Sequence, residues 1–259
     1  GVLQRIAVVY GITAVITMNT NVKTQAWLTA GLLLLYWGLM KLVPVPGHGA
    51  GVITPEGNLA AFIDQHLFAG HMWGQTKTWD PEGFLSTIPA VCTGLSGVLT
   101  GHWLNSGRNR SEIAGWMFVA GWIAIVVGLF WGIVFPINKS LWTSSYVVFT
   151  TGAALQFLAF CYWLIDVKDI RKWAKPAIMY GMNAIAIFTL SILVAKAFIY
   201  IRWIGEDGNR IALQTWVYRN LFVTWASEIN ASLVFAILNV LFFLLIAAIM
   251  YRKKIFIKI

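Results

Sequence analysis

Charged residues are scarce in this chain of 259 residues. They make up 11% of it, against roughly 25% in an ordinary soluble domain, while 59% of the residues are hydrophobic and the mean hydropathy is +0.72. The apolar residues come in long uncharged blocks, and a helix needs about 20 such residues to cross a bilayer. These features exclude a soluble domain and predict an all-α, polytopic transmembrane helical bundle.

Cysteine is also scarce, and no metal-ligand spacing is present. Cys92 and Cys161 both fall inside apolar blocks, so we interpret them as small buried side chains. None of the histidines lies in a motif such as HExxH, so we predict no metal and interpret each as an ordinary solvated side chain. The histidines are His48, His66, His71 and His102.

The net charge of +9 is not gathered on one basic face, so we predict no nucleic-acid partner. Basic residues instead sit at the ends of the apolar blocks, most of them in short connections, and basic short loops stay in the cytoplasm. We therefore expect a cytoplasmic C-terminus and exoplasmic inserts at about 42–84 and 202–230. The predicted spans are seven: 2–18, 26–43, 85–104, 113–135, 142–165, 177–201 and 231–251.

The beginning of the chain lacks a Met, a charged n-region and a signal-peptide cleavage site. It enters an apolar stretch at Gly1, so we expect that N-terminal spans precede it. Both long inserts show helical apolar spacing, around 59–67 and 213–222, and Asn58 is placed to cap the first of these helices. We predict that both helices lie on the membrane surface or fold over a cavity.

Polar side chains near membrane depth are costly and commonly mark functional sites. Asp80 and Glu82 flank Pro81 just before the third span, where a carboxylate can orient or deprotonate an amine or hydroxyl. The alternative is local, because Asp80 and Pro81 also suit the start of a helix and Glu82 favours its positive end.

A second polar group is the turn 135–146, between the fourth and fifth spans. It combines the amide of Asn138 and the ammonium of Lys139 with several hydroxyls and the ring of Trp142. An ordinary loop needs no such density, which favours a functional site. The alternative is that Ser140 caps a helix and the aromatic residues form an interfacial belt.

Two smaller groups complete the candidates. Gln4 and Arg5 enter the first span, where Arg5 suits a buried acid or the carboxylate or phosphate of a ligand; the alternative is an interfacial arginine that snorkels. Asn183 lies in the sixth span and suits either a ligand or a neighbouring helix. We interpret Lys196 as a snorkelling residue.

These groups, in this order, resemble the transmembrane acyltransferases related to heparan-α-glucosaminide N-acetyltransferase, including a bacterial branch described as a domain of unknown function. The resemblance covers nearly the whole chain. It rests on Gly-Val-Leu-Gln-Arg-Ile at 1–6, Asp-Pro-Glu-Gly-Phe-Leu-Ser-Thr at 80–87, Pro-Ile-Asn-Lys-Ser-Leu-Trp-Thr-Ser-Ser-Tyr at 136–146, Asp-Val-Lys at 166–168, Gly-Met-Asn at 181–183 and the C-terminal residues 251–259.

The resemblance implies a bundle of about eleven spans, of which residues 1–259 would form the C-terminal part of a single transmembrane domain. It implies transfer of an acetyl group from cytoplasmic acetyl-CoA to an amino sugar on the exoplasmic side. The active histidine of the family lies N-terminal to the Gly-Val-Leu-Gln-Arg motif, and no histidine of this chain matches it. The residues we expect to take part in catalysis are Asp80, Glu82, Asn138 and Lys139, and those expected to bind substrate or cofactor are Gln4, Arg5, Trp142, Ser144 and Asn183.

The leading hypothesis is therefore an integral-membrane acetyltransferase with acetyl-CoA as co-substrate and an amino sugar or glycan as acceptor. A sugar transporter without chemistry and a non-catalytic membrane scaffold are the alternatives. A bacterial inner membrane is the expected location, and a homodimer is left open. Within this hypothesis, Asn138 or Lys139 would stabilise an oxyanion, and Arg5 would hold a phosphate or the sugar.

Overall fold

The apolar blocks form the long helices of the structure, a computed structural model that describes residues 1–205, 208 and 210–257. The chain divides into two compact units, Gly1–Asp169 and Ile170–Ile259, each described by itself below. The single transmembrane domain expected over the whole chain stays a prediction. Lys258, one of the basic residues expected in the cytoplasm, lies outside the described residues.

The first unit is built from six α-helices and one short hairpin. A π-helical turn, Trp163–Val167, extends the last helix. The elements are α1 (Val2–Asn19), α2 (Val22–Leu42), β1 (Pro44–Val45), β2 (Gly49–Ala50), α3 (Leu59–Leu67), α4 (Thr87–Leu104), α5 (Arg110–Val134) and α6 (Ser144–Tyr162).

Within its described residues, the second unit holds four further α-helices. A 3₁₀ turn, Lys172–Ala174, precedes these helices. A short antiparallel hairpin in the same unit pairs Trp203 with Ile211. The elements are α7 (Lys175–Met182), α8 (Ala184–Tyr200), β3 (Arg202–Ile204), β4 (Arg210–Ala212), α9 (Leu213–Leu221) and α10 (Glu228–Arg252).

Every predicted span is helical, but the helices differ in polarity. Among the described residues, α1, α5, α6 with its π turn, and α10 are each long and apolar enough to cross a membrane. Helices α7 and α8 pass that test only together. Helices α2 and α4 also stand at predicted spans but carry more polar side chains, which face neighbouring helices in part. The structure is thus an all-α helical membrane protein with four to five clearly span-capable helices.

The sixth predicted span is broken rather than straight. Helices α7 and α8 meet at Asn183 with a bend of 71°. The break follows from backbone geometry, because Asn183 has φ −132° and ψ 34°, outside the helical region. A continuous helix over 177–201 is therefore wrong.

Glycines bring α5 and α6 into direct backbone contact. A Cβ on Gly128 would lie 2.6 Å from the backbone nitrogen of Phe149, and one on Gly152 would lie 2.7 Å from the carbonyl oxygen of Gly121. Such close approach is the usual use of small residues between membrane helices. The Gln156 side chain reinforces the contact by donating to the Phe118 carbonyl at 2.7 Å.

The first insert contains the helix that its sequence predicts. Helix α3 begins after Asn58, whose side-chain oxygen accepts from the Ala61 N–H at 2.8 Å, which confirms the predicted cap. Its apolar side packs into a core with Tyr36 and Met40 of α2. Helix α3 therefore packs against α2, and it places Asp64 in contact with the turn that precedes α4.

Candidate functional site

The turn at residues 80–86 is held in part by the carboxylate of Asp80. One oxygen of Asp80 accepts from the Glu82 N–H at 2.9 Å, and the other accepts from the Trp73 N–H at 3.1 Å. Because α4 begins only at Thr87, with Ser86 as its N-cap, Asp80 does not cap that helix. This corrects the alternative of a helix start at Asp80: the residue shapes a turn ahead of the helix.

Glu82 differs from Asp80 in having no such backbone partner. Within the part of the chain that the structure describes, its carboxylate makes no hydrogen bond or ion pair that would fix it. It lines two adjoining cavities and is the acidic residue that interacts most strongly with the charge of Arg5. Of the two predicted carboxylates, Glu82 is the one available to a ligand.

Arg5 joins α1 to the turn. Its guanidinium donates hydrogen bonds to the carbonyl oxygens of Pro81 and Ser86, and it lies 4.8 Å from the centre of the Trp142 ring. This is a cation–π arrangement as well as a hydrogen-bonded one. Arg5 is therefore a fixed part of the site rather than a snorkelling residue.

The two cavities meet at Arg5 and Glu82. One, of about 710 Å³, is also lined by Gln4, His71 and Asp80, together with the rings of Phe68 and Phe84. The other, of about 870 Å³, runs along α1 and α4 as far as Trp142. Both are of the size that suits small-molecule ligands. Aromatic faces beside a few convergent polar groups can hold a sugar-sized polar molecule.

Trp142 is strained in order to reach this position. Its backbone has φ 52°, a left-handed conformation that is rare for a bulky residue. Its Nε1 donates to Thr93 Oγ1 at 3.1 Å, and its ring packs edge-on against Tyr146 at 5.3 Å. Strained residues of this kind cluster at functional sites, and the ligand-binding role of Trp142 stays a prediction.

The second polar turn uses most of its side chains to hold itself together. Asn138 Oδ1 accepts from the N–H groups of Ser140 and Leu141 at 2.8 and 3.2 Å. Thr143, not Ser140, caps α6, because its hydroxyl oxygen accepts from the Tyr146 N–H. The alternative interpretation, in which Ser140 caps the helix, is therefore wrong.

Three predicted site residues lie around this turn without lining the cavities at Arg5. Ser144 is fully buried and donates to the Leu33 carbonyl at 2.7 Å, which ties α6 to α2. Lys139 is exposed at the tip, and Asn138 is half-buried. The roles predicted for these three residues stay predictions.

Asn183 belongs to the second unit. Its amide nitrogen donates to the Ile255 carbonyl at 3.0 Å, and its amide oxygen accepts from the Ile257 N–H at 2.9 Å. The buried side chain thus fastens the C-terminal segment to the break between α7 and α8. Its predicted substrate contact is untested.

Asp64, which contacts the turn at 80–86, is one of the residues that the sequence analysis missed. Its carboxylate is 1% exposed and accepts from the Phe84 N–H at 2.9 Å. The pKa of this carboxyl is raised to about 6, chiefly by burial; the Phe84 N–H opposes the shift, and the charge of Asp80 adds to it. The available signal was an acidic residue among the apolar positions of α3.

His71 was interpreted as a solvated residue, yet it lines the same cavity as Glu82. Its Nδ1 lies 3.2 Å from the Ala69 carbonyl, which leaves Nε2 as the ring nitrogen without a protein partner there. Across the described ranges, no cluster of three or more His, Cys, Asp or Glu side chains could hold a metal ion.

Comparison with known proteins finds relatives that share one name. No family model matches the chain. It is 28% identical, over 316 aligned positions, to a Homo sapiens protein named heparan-alpha-glucosaminide N-acetyltransferase, in an alignment that covers 100% of this chain and 44% of the relative. The Mus musculus protein of that name is 28% identical over 240 positions, covering 73% of this chain and 36% of the relative.

The chain thus spans less than half the length of these curated relatives. The similarity nevertheless extends over all of this chain, which also has helices long and apolar enough to cross a membrane. The chain is thus a helical membrane protein that is similar, over its whole length, to proteins named heparan-alpha-glucosaminide N-acetyltransferase.

Proposed function

We propose that this chain forms the acceptor-binding part of a membrane acetyltransferase that uses acetyl-CoA and acetylates an amino sugar or glycan. The observation that carries the proposal is that Arg5 and Glu82 both line the two cavities at the place where these meet. The names of the relatives support acetyl transfer to a glucosamine-containing acceptor.

The free carboxylate of Glu82 suits an amine substrate. An amino sugar is an ammonium ion near neutral pH, so it binds a carboxylate but must lose a proton before its nitrogen can attack. Glu82 accepts that proton, while Asp80 and the Arg5 contacts keep the turn in place. The rings of Phe68 and Phe84 line the same cavity and pack against the sugar.

The net reaction balances with one proton released. The amine nitrogen forms a bond to the acetyl carbonyl carbon, and the bond between that carbon and the sulfur of CoA breaks. The nitrogen loses a second proton, and the departing thiolate takes one up to become a thiol. Direct attack on acetyl-CoA and passage through an acetylated histidine give this same balance.

We further propose that the acceptor cavity opens on the exoplasmic side, with the C-terminus in the cytoplasm of a bacterial cell. The short basic connections support this orientation. A cysteine introduced at Glu56, in the first insert, should react with a membrane-impermeant maleimide in intact cells, whereas one at Lys254 should react only after lysis. The reverse pattern would invert the orientation.

A sugar transporter is the second candidate, because one observation favours it. Broken helices form the binding sites of many transporters, and α7 and α8 are broken at Asn183 with a bend of 71°. A transporter binds and releases its sugar unchanged, so the two functions separate at the product.

The deciding experiment uses the full-length gene product, purified in nanodiscs, with radiolabelled acetyl-CoA and glucosamine. We expect labelled N-acetylglucosamine and free CoA. Glu82→Gln should reduce turnover by about 100-fold or more, as expected for loss of a general base. Glu56→Gln is the matched control, since Glu56 is exposed in the same insert and lines neither cavity. Sugar binding without acetyl transfer would favour the transporter.

A further inference from the structure

The turn that presents Glu82 rests on a buried carboxylate from a different helix. Asp64 lies 20 residues earlier in the chain, on α3, and its Oδ1 accepts from the Phe84 N–H at 2.9 Å. The Asp80 N–H also interacts favourably with the ionised carboxylate. One side chain therefore engages the beginning and the end of the turn, on either side of Glu82.

Gly83 shows how closely the carboxylate and the turn fit. A Cβ at this position would lie 2.0 Å from Asp64 Oδ2 and 2.6 Å from its Cγ. The φ of Gly83 is not in the left-handed region, so the backbone conformation alone does not require glycine. Glycine is needed here because the Asp64 carboxylate occupies the space of a side chain.

The other side of the same turn is held by Arg5, through the carbonyls of Pro81 and Ser86. The N–H groups of the turn thus point to a carboxylate, and its carbonyl groups point to a guanidinium. With its backbone held from both sides, the turn leaves the Glu82 side chain free to enter the cavities. We propose that Asp64 is a positioning residue that fixes the turn at residues 80–86 so that Glu82 faces the acceptor.

This inference rests on the proposed function for its kinetic consequences, but its geometric basis is independent. The charged and titratable groups that act on Asp64 are Arg5 from α1, Tyr36 from α2 and Asp80 from the turn. None of them replaces the hydrogen bond to Phe84. Removal of the carboxylate therefore leaves the turn without its support from α3.

The kinetic test compares Asp64→Ala, Asp64→Asn and Gly83→Ala in the full-length protein. We expect Asp64→Ala and Gly83→Ala each to raise the KM for glucosamine at least tenfold and to leave the KM for acetyl-CoA within twofold. Asp64→Asn keeps an oxygen acceptor of the same shape and should recover most of the acceptor affinity. Gly74→Ala is the matched control, because a Cβ on this nearby loop glycine meets nothing within 4 Å.

A double variant makes the test specific. Gly83→Ala should do little additional harm in the Asp64→Ala protein, because the atoms that its methyl group would strike are gone. Fully multiplicative effects would contradict a shared mechanism. Equal losses of affinity for both substrates, or behaviour like that of Gly74→Ala, would overturn the proposal.

A second measurement does not depend on catalysis. Amide hydrogen exchange at residues 82–84 should be at least tenfold faster in Asp64→Ala than in the wild-type protein, and unchanged in Gly74→Ala. Unchanged exchange in Asp64→Ala would overturn the positioning role even if acetyl transfer is found. Faster exchange in a protein that transfers no acetyl group would keep the role of Asp64 in holding the turn and reject the acetyltransferase.

Discussion

The turns at 80–86 and 135–146 are both rich in polar residues, yet they use them differently. In the first turn, Asp64, Asp80 and Arg5 make hydrogen bonds to backbone groups. The Glu82 carboxylate makes no hydrogen bond or ion pair with the residues that the structure describes. In the second, the Asn138 side chain closes the turn itself. Polar density therefore marks both turns, but only hydrogen-bond partners distinguish a side chain that builds a turn from one that is free to meet a ligand.

The first turn should respond most strongly to the loss of Arg5. Arg5→Ala leaves the carbonyls of Pro81 and Ser86 without their donor and removes the cation above Trp142. We expect a loss of about 2–4 kcal/mol in stability and at least about a 100-fold loss of turnover. Thermal melting and the acetyl-transfer assay measure the two effects.

Arg5→Lys is the control for charge alone. It keeps the cation but cannot bond both carbonyls with one planar group, so intermediate effects are expected. An Arg5→Ala protein with wild-type melting and turnover would remove the distinction between the two turns.

The stability of the first turn should depend on pH through Asp64. Its pKa is raised to about 6 in the folded protein from 3.8, so the folded state keeps the proton to higher pH than the unfolded state. Stability from this group is therefore greatest below about pH 4, falls between pH 4 and 6, and stays lower above that. The pKa difference corresponds to at most about 3 kcal/mol.

Asp64→Asn should flatten this part of the profile because it cannot ionise. The measurement is the thermal midpoint at several pH values in the same nanodiscs, for both proteins. If the wild-type and Asp64→Asn proteins gave parallel pH profiles, the pKa of Asp64 would not be raised, because its carboxyl would be solvated or already paired. No comparable pH effect is expected from the Asn138 side chain, which does not titrate.

The second turn should lose stability when Asn138 is truncated. Asn138→Ala removes the acceptor for two backbone N–H groups and should cost about 1 kcal/mol. Asn138→Asp keeps an acceptor oxygen and should melt close to wild type. The aspartate variant lacks the amide donor of Asn138. A loss of turnover in this variant at unchanged stability would support the oxyanion role predicted for Asn138, and normal turnover would contradict that role.

Much of the fold follows from hydropathy, because seven long apolar blocks become seven helical segments and Asn58 caps α3 as predicted. The bend at Asn183 was missed because one amide inside an apolar block does not reveal its partners at Ile255 and Ile257. Short-range patterns describe single helices well, whereas such long-range bonds depend on tertiary packing.

The same limit applies to the site. Arg5, Glu82 and Trp142 were candidates because charged and aromatic residues at membrane depth are conspicuous, and the structure brings them together. Asp64 and His71 looked ordinary in the sequence. Their importance depends on α3 and the following loop lying beside the turn at 80–86, which no spacing in the sequence specifies.

Lys139 should give the smallest effect of all. It is exposed at the tip of the second turn and lines neither cavity at Arg5, so Lys139→Ala should change stability by less than about 0.5 kcal/mol. Because of this exposed position we expect turnover within about threefold of wild type, against the catalytic role that the sequence predicts for Lys139. A far larger loss at unchanged stability would mean that this ammonium reaches the reacting acetyl group during turnover. The two turns would then act on one substrate, with Glu82 taking the proton of the amine and Lys139 stabilising the oxyanion.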